Sequence, residues 1–394
     1  MDLVSSSNQD AVNIARLASD LIRIKSVNSS DVQDIHTNTG LYEVACFVKE
    51  WISKNSSAKV KIVEFKKGFP IVIADDGGNG KKVLLNGHMD VVPVNPKDNK
   101  NMDYFSGKII RNKLFGRGAA DMKTGLATFM YILSKLGDNS TYNLMFTAVS
   151  DEETGGYFGS KYLAMQLKPD IVFVGEPTTA GFFGVGEKGV LQVMLKAKGK
   201  SAHSSLPSEG INAITKITND LTSIMKIQDY TYRTPPYARN SIKNSLCLYG
   251  EDVRKITCTP SMISGGIKLN IVPSYCEASV NIRLPIGTNV ERVTKLVEAQ
   301  LKESDMVQVA SAEPSFTNNK SLFIKRLLNL NGAHTLTIKP IILSGATDGR
   351  YFRYVGIPTV VYGPGDLKMA HTDNEYVVLS DVAKVYKTYF SLLS

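Results

Sequence analysis

The sequence predicts an α/β protein: a mixed, mainly parallel sheet with helices on both faces, interrupted by a smaller α+β domain. Three observations carry this expectation. Strand-like and helix-like runs alternate up to residue 181, the texture changes from residue 182, and the alternation returns after residue 312. At 394 residues the chain is also longer than one average core accommodates. The expected layout is therefore a catalytic domain made of residues 1–181 and 313–394, with an inserted domain over residues 182–312.

The elements follow in order. Ile14, Leu17, Leu21 and Ile24 recur at three- and four-residue steps in "DAVNIARLASDLIRI", and "LYEVACFVKEWI" repeats the pattern after Gly40, so two amphipathic helices open the chain. Short β-like runs follow at "VKIVEF", "PIVIA" and "KVLLNG". A helix at "GLATFMYILSKL" stops before Gly137, and then come a strand at "YNLMFTAV", a helix near "GSKYLAMQL" and a strand at "DIVFVG". The insert reads as a strand at "GVLQVMLKAKG", a helix at "GINAITKITNDLTSIM", strands at "GGIKLNIVP" and "YCEASVNIRLP", a helix at "NVERVTKLVEAQL" and a last strand near "MVQVAS". That β-α-β-β-α-β order is the ferredoxin-like, split βαβ arrangement. "FIKRLLNL", "KPIIL", "TVVYG" and the closing helix "SDVAKVYKTYFSLL" return to the first texture.

Composition narrows the function classes. With 43% hydrophobic and 21% charged residues the chain is an ordinary globular protein, and no apolar run reaches the roughly 18 residues that suggest a membrane span. The first residues, "MDLVSSSNQDAVNIARL", lack the basic flank and apolar segment of a secretory signal. Cys46, Cys247, Cys258 and Cys276 show no CxxC spacing, which fits reduced thiols and a cytoplasmic protein. The formal net charge of +9 is spread thinly, with nothing denser than pairs such as Lys66-Lys67, so the footprint of a nucleic-acid binder is missing. Attraction of acidic small substrates is the milder implication.

In open α/β sheets ligands gather beyond the carboxyl ends of the strands, and the residues able to ligate a metal fall there. His88 and Asp90 follow "KVLLNG", Glu152 and Glu153 follow "YNLMFTAVSD", Glu176 follows "DIVFVG", and His371 follows "TVVYGPGDLKMA". Asp121 stands in "GRGAADMKTG", just before an expected helix. In an extended segment His88 and Asp90 point the same way, as a ligand and its orienter would. Singly, each has an ordinary reading: Asp121 as a helix N-cap, Glu152-Glu153 as a solvated loop, "GEP" as a turn, His371 as a surface residue. Together, two histidines and several carboxylates without cysteine suit zinc, cobalt or manganese, and a carboxylate beside a ligand suits a general base. Two other motifs lead nowhere. "GVGEKG" matches GxGxxG but precedes a strand-like run, and Ser201 with His203 in "GKSAHSS" has no GxSxG elbow to serve. His36 and His334 lie in polar surroundings and carry no readable chemistry.

Taken together, "NGHMDVVP", "GRGAADMKTGLA", "SDEETGG", "VGEPT", "GKSAHSS" and "AHTDNEYV" resemble the ordered signature of the dinuclear zinc hydrolases that include acetylornithine deacetylase, succinyl-diaminopimelate desuccinylase and carboxypeptidase G. The resemblance implies two divalent ions per chain, zinc first with cobalt or manganese as alternatives. His88, Asp121 and Glu176 would hold one, and Asp121, Glu153 and His371 the other. It makes Asp90 the orienter of His88, Glu152 the general base, and the insert a dimerisation and lid domain whose His203 reaches the partner's site. It implies a cis peptide at Asp121-Met122. Asn270, Arg283, Thr347 and Arg350 resemble substrate-gripping positions, although "SGATDGR" is one residue shorter than the usual desuccinylase stretch. The expected reaction is removal of an acyl group from a small N-acyl amino acid by metal-activated water, in a homodimer. A dipeptidase, tripeptidase or carboxypeptidase on the same site is the nearest alternative, and a non-catalytic binding relative a more distant one.

Overall fold

The computed structural model describes residues 2–28, 39–94, 103–317, 322–329 and 338–394. His36 and His334 lie outside them. The chain divides into two compact units, one of Met1–Val185, Thr317–Pro340 and Thr347–Ser394, the other of Gly186–Phe316 with Ile341–Ala346. The division differs from the expected boundaries by four residues at each junction (186 against 182, 316 against 312) and assigns Ile341–Ala346 to the second unit.

The elements before the insert are α1 (Asp2–Arg23), α2 (Thr39–Asn55), β1 (Lys59–Glu64), β2 (Pro70–Asp75), β3 (Lys82–His88), β4 (Ile109–Ile110), β5 (Lys113–Phe115), α3 (Thr124–Leu136), β6 (Asn143–Val149), α4 (Ser160–Gln166), β7 (Ile171–Val174) and β8 (Phe182–Glu187). The second unit contributes β9 (Gly189–Lys198), α5 (Ala213–Met225), α6 (Arg239–Tyr249), β10 (Thr257–Gly265), β11 (Tyr275–Leu284), α7 (Val290–Glu298), β12 (Asp305–Ala312) and β13 (Ser315–Phe316). The chain closes with α8 (Leu322–Asn329), β14 (Lys339–Leu343), α9 (Gly349–Tyr354), β15 (Thr359–Val361), β16 (Tyr376–Val378) and α10 (Leu379–Leu393).

In the first unit the sheet runs β1-β2-β6-β3-β7-β15-β8. Its middle strands β6, β3, β7 and β15 are parallel, while β1, β2 and β8 add antiparallel edges, so the parallel part is the centre of a mixed sheet. Full burial explains the unbroken apolar runs that read as strands here: every residue of β6 and β7 is buried. Helix α3 buries residues all around its circumference because it lies among α1, α2, α10 and the strands β3 and β6. A second group, α4 and α9, packs together, with α9 against β7 and β15. Register then aligns the strand ends, with His88 opposite Val149, Asn86 opposite Val174 and Val361 opposite Val174.

The second unit is a four-stranded antiparallel sheet of order β10-β11-β9-β12 packed against α5 and α7, the ferredoxin-like order. Its core gathers Leu191, Val193, Leu195, Ile217, Ile224, Val280, Ile282, Val293 and Val297. Two expectations fail inside it. The strand expected at "GGIKLNIVP" is largely a loop, and β10 lies upstream at "TCTPSMISG". The apolar alternation in the loop is not buried within the chain, since Ile267 is 88% and Leu269 103% exposed. Pro260 masks β10 in the sequence, yet it is tolerated because β10 is an edge strand with a bulge between Pro260 and Met262. The other miss is α6, whose inward face includes Ser241 and Ser245 and therefore shows no apolar period. Ser245 Oγ donates to the Ser241 carbonyl and accepts from the Ile342 amide. Among the described residues no helix is long and apolar enough to cross a membrane.

Candidate metal centre

The parallel centre of the sheet delivers the chemistry. His88 ends β3, Glu176 stands two residues past β7, and Glu152 and Glu153 open a tight helical turn just after β6. Asp121 comes from an irregular turn, Ala119–Lys123, that enters α3, and the Asp121-Met122 peptide is cis. His371 comes from the loop before β16, in left-handed backbone at φ 62°. Glycines allow the close approach: a Cβ on Gly125 would sit 2.0 Å from the Gly175 carbonyl oxygen, and one on Gly363 2.1 Å from it. The start of α3 and the ends of β7 and β15 can therefore close around Glu176.

Asp121 lies at the centre. Its Oδ1 is 3.0 Å from His88 Nε2, and His88 Nε2 is 3.4 Å from Glu176 Oε1. Its Oδ2 is 3.4 Å from His371 Nε2, which is 3.4 Å from Glu153 Oε2. One carboxylate thus faces two donor sets. Glu152 stands beside the first, its carboxylate within 4.8 Å of ligand atoms of His88 and Glu176.

Asp90 supports both sides. His88 Nδ1 is 2.9 Å from the Asp90 carbonyl oxygen and 3.4 Å from its carboxylate. A carbonyl can only accept, so Nδ1 carries a proton and Nε2 is the nitrogen turned toward Asp121 and Glu176, the one that would ligate an ion. The other carboxylate oxygen of Asp90 accepts from the Glu153 amide at 3.1 Å and from Asn28 Nδ2 at 3.1 Å.

The electrostatics are those of a crowded anionic pocket. Burial works against a charged imidazole at His88, but Glu176 and the contacts with Asp121 and Asp90 outweigh it and raise the ring well above its ordinary range. Contacts with Asp121 and Glu153 raise His371 to about 10. Burial opposes ionisation of Asp121, yet the two imidazoles hold it below the usual carboxylate range. Burial and the Asp121 charge push Glu176 up to about 8, and burial likewise raises Glu153. Burial and the carboxylates of Asp348 and Glu176 raise Glu152 well above its ordinary value. Carboxylates crowded and buried in this way create a negative field of the kind that divalent cations balance.

The donor set fits such cations. Bonds of about 2.0–2.1 Å at tetrahedral angles would set neighbouring ligand atoms about 3.3 Å apart. The separations found, 3.0 Å and 3.4 Å, lie close to that. Glu153 Oε1 is buried without a hydrogen-bond partner, as an oxygen kept for a ligand would be.

A sequence model of peptidase family M20/M25/M40 matches residues 84–394. The chain belongs to that family. As an M20-family metallohydrolase it is 30% identical to the succinyl-diaminopimelate desuccinylase of Rickettsia akari, over 80% of this chain and 84% of that one. It is 27% identical to the acetylornithine deacetylase of Vibrio atlanticus, over 91% of each chain. The M20 metallo-carboxypeptidase of Sulfolobus solfataricus shares the fold, with a TM-score of 0.79, 21% identity, and coverage of 96% of this chain and 98% of that one.

The remaining expected residues are distributed between the units. Thr347 and Arg350 lie in the first; Thr347 Oγ1 accepts from the Gly349 amide, and the Arg350 guanidinium donates to the carbonyls of Thr347 and Gly155, each at 2.8 Å. Arg350 therefore braces the turn that carries Glu152 and Glu153. His203, Asn270 and Arg283 lie in the second unit: His203 and Asn270 in exposed loops, Arg283 half-buried on β11. His203 Nδ1 accepts from the Ser205 amide at 3.3 Å, which leaves the ring proton on Nε2 as a donor. Four supporting residues in this M20-family chain escape the sequence reading. Asn28 holds Asp90, Arg117 pairs with Glu375, and buried Lys123 donates to the carbonyls of Leu21 and Ile24 at 2.8 Å and 2.9 Å. Arg117 and Glu375 stand inside motifs already singled out, four residues from Asp121 and from His371 respectively. Their long-range partners leave no local signal.

Proposed function

We propose that the chain hydrolyses the amide bond of a small N-acyl amino acid, with two divalent ions, zinc first, held at the shared Asp121. The observation that carries this reading is the division of the Asp121 oxygens between His88 with Glu176 and His371 with Glu153, with Glu152 alongside. Ions bound there would supply Lewis acidity, acidifying water and polarising the scissile carbonyl. Glu152 takes the proton of the attacking water and returns it to the departing amine, a role its raised proton affinity suits. Asp90 keeps His88 in the ligating tautomer, and His203, with its proton on Nε2, donates to the developing oxyanion. Asn270, Arg283, Thr347 and Arg350 belong to substrate recognition in this reading.

A second copy is part of the proposal. Among the described residues β10 pairs on one side only, with Met262 and Ile263 exposed, and Ile267 and Leu269 follow in the adjoining loop. An apolar open edge of this kind suits pairing with its own copy about a twofold axis. That copy would receive His203 and make the inserted unit a lid. The cysteine spacing and composition favour the cytoplasm as the place of action. The acyl-amino-acid reading draws on relatives named desuccinylase and deacetylase. A panel of N-acetyl and N-succinyl amino acids beside di- and tripeptides, assayed with added zinc or cobalt, tests it. Turnover of N-acyl amino acids is expected, and turnover of peptides alone would make the chain a peptidase instead.

A further inference from the structure

We propose that Glu375 and Arg117 set the affinity of the second ion pocket, the one made by Asp121, Glu153 and His371. The inference rests on the two-ion reading. Glu375 is 2% exposed and pairs with buried Arg117, Oε2 to Nη1, at 2.7 Å. Its other oxygen, Oε1, accepts from the amides of Ala120 at 2.8 Å and of Asp121 itself at 3.1 Å. Arg117 in turn reaches the carbonyl oxygens of Thr372 at 3.3 Å and of His371 at 3.5 Å. One buried ion pair therefore grips the backbone of two of the three segments that carry ligands for this pocket, those of Asp121 and His371, while the Glu153 amide is held by Asp90. Outside the pair itself, all of these bonds go to main-chain atoms, so the pair orients ligands without competing for an ion.

Topology puts the pair there. β5 and β16 pair antiparallel, with Tyr376 opposite Phe115, and the Gly116 amide donates to the Glu375 carbonyl at 3.1 Å. The ladder thus fixes the loop before β16 beside the turn that follows β5. The two pockets differ in their need for this support. His88 ends a buried parallel strand and Glu176 follows another, so the sheet itself positions them. His371 is 52% exposed in its side chain and sits in left-handed backbone, which a non-glycine residue adopts at a cost. The Thr372 amide and hydroxyl turn back onto the Met369 carbonyl at 3.4 Å and 2.8 Å, and the Arg117 guanidinium adds the contact to the carbonyl of His371 itself.

Replacing a group that orients a ligand typically lowers metal affinity about 10–100-fold. Glu375→Gln keeps the shape and an acceptor oxygen but removes the charge facing Arg117. Arg117→Lys perturbs the pair from the other side, because an ammonium cannot reproduce the guanidinium fork. Asp373→Asn is the control, a change in the same loop at a residue that accepts from the Tyr104 hydroxyl at 3.2 Å. Chelator-stripped full-length protein is titrated with Zn²⁺ against a competing chelator, and with Co²⁺ followed by its absorption bands. Expected are two steps in the wild type, and in Glu375→Gln a weaker step shifted about 10–100-fold while the tighter step moves by less than about threefold. Turnover should recover at saturating Zn²⁺, which a general loss of structure would not allow. Arg117→Lys should behave alike, Asp373→Asn like the wild type. If Glu375→Gln does not fold, as judged by circular dichroism of the ion-free protein, Arg117→Lys is read by the same criteria. Two steps left unchanged, or weakened equally, overturn this inference and leave the two-ion reading standing. A single step in the wild type overturns both.

Discussion

Glu152 and Glu153 are adjacent in sequence and both lie in the acidic pocket, so exchanging each for glutamine separates the roles assigned to them. Glu153 Oε2 lies 3.4 Å from His371 Nε2, and its amide is fixed by Asp90 at 3.1 Å, so it is the better placed to ligate. Glu152 lies near His88 and Glu176 but, among the described residues, makes no comparable ion-pair contact with a histidine. Glu152→Gln preserves volume and hydrogen-bonding capacity while removing the base. General base catalysis contributes about 10²–10⁴-fold, so turnover should fall at least about 10²-fold, close to 2.7 kcal/mol of barrier. Metal content should stay at the wild-type value. Glu153→Gln should instead weaken one ion by at least the roughly 10–100-fold that loss of a ligand's orienting partner costs. The assay pairs elemental analysis after dialysis with single-turnover kinetics at saturating zinc. If Glu152→Gln strips an ion while Glu153→Gln keeps both, the roles are reversed and the argument from the His371 contact is refuted.

Other outcomes follow from the same geometry. Asp121→Ala should deplete both ions, whereas His371→Ala should deplete mainly one, and elemental analysis giving equal losses would remove the shared-carboxylate reading. His203→Ala should lose about 10²–10³-fold in turnover with metal retained. Refolding it together with Glu152→Gln should restore up to about half of the wild-type activity per mixed dimer, because one of the two sites then has both residues intact; no recovery despite demonstrated subunit exchange would mean that His203 acts in its own chain. Burial pushes the Lys188 ammonium down to about 7, although its Nζ donates to the carbonyls of Asp252 and Lys255. Between about pH 7 and 10 the unfolded chain then holds a proton that the folded chain does not, so stability rises with pH. Denaturant melts of Lys188→Met should show a flatter rise across that window, and an unchanged slope would contradict the assignment.

What could be read from sequence was whatever repeats locally. Buried parallel strands announce themselves as apolar runs, and the groups that follow them, His88, Glu152, Glu153 and Glu176, can be placed at one end of a sheet without knowing the strand order. The His88–Asp90 spacing likewise pointed to a supporting contact, although the shortest one runs to the Asp90 carbonyl and not to its carboxylate. Whatever depends on distant partners stayed hidden. Glu375 gains meaning only beside the amides of Ala120 and Asp121, more than 250 residues earlier in the chain. Helix α6 was invisible because two of its three buried residues, Ser241 and Ser245, are serines, and Ile242 alone makes no apolar period. The misplaced strand at "GGIKLNIVP" shows the reverse error, an apolar alternation with no burial inside its own chain.

The order in which the proposed ligands leave the ribosome has a consequence of its own. His88, Asp121, Glu153 and Glu176 are all made before the second unit, and His371 only after it. During synthesis a nascent chain therefore presents an acidic, half-built pocket for as long as the whole insert takes to be translated. Contacts of such long sequence separation form late, so under the two-ion reading loading of the complete centre would be a late event in folding, and an ion captured early would meet the whole set of His88, Asp121 and Glu176 but a second set still lacking His371.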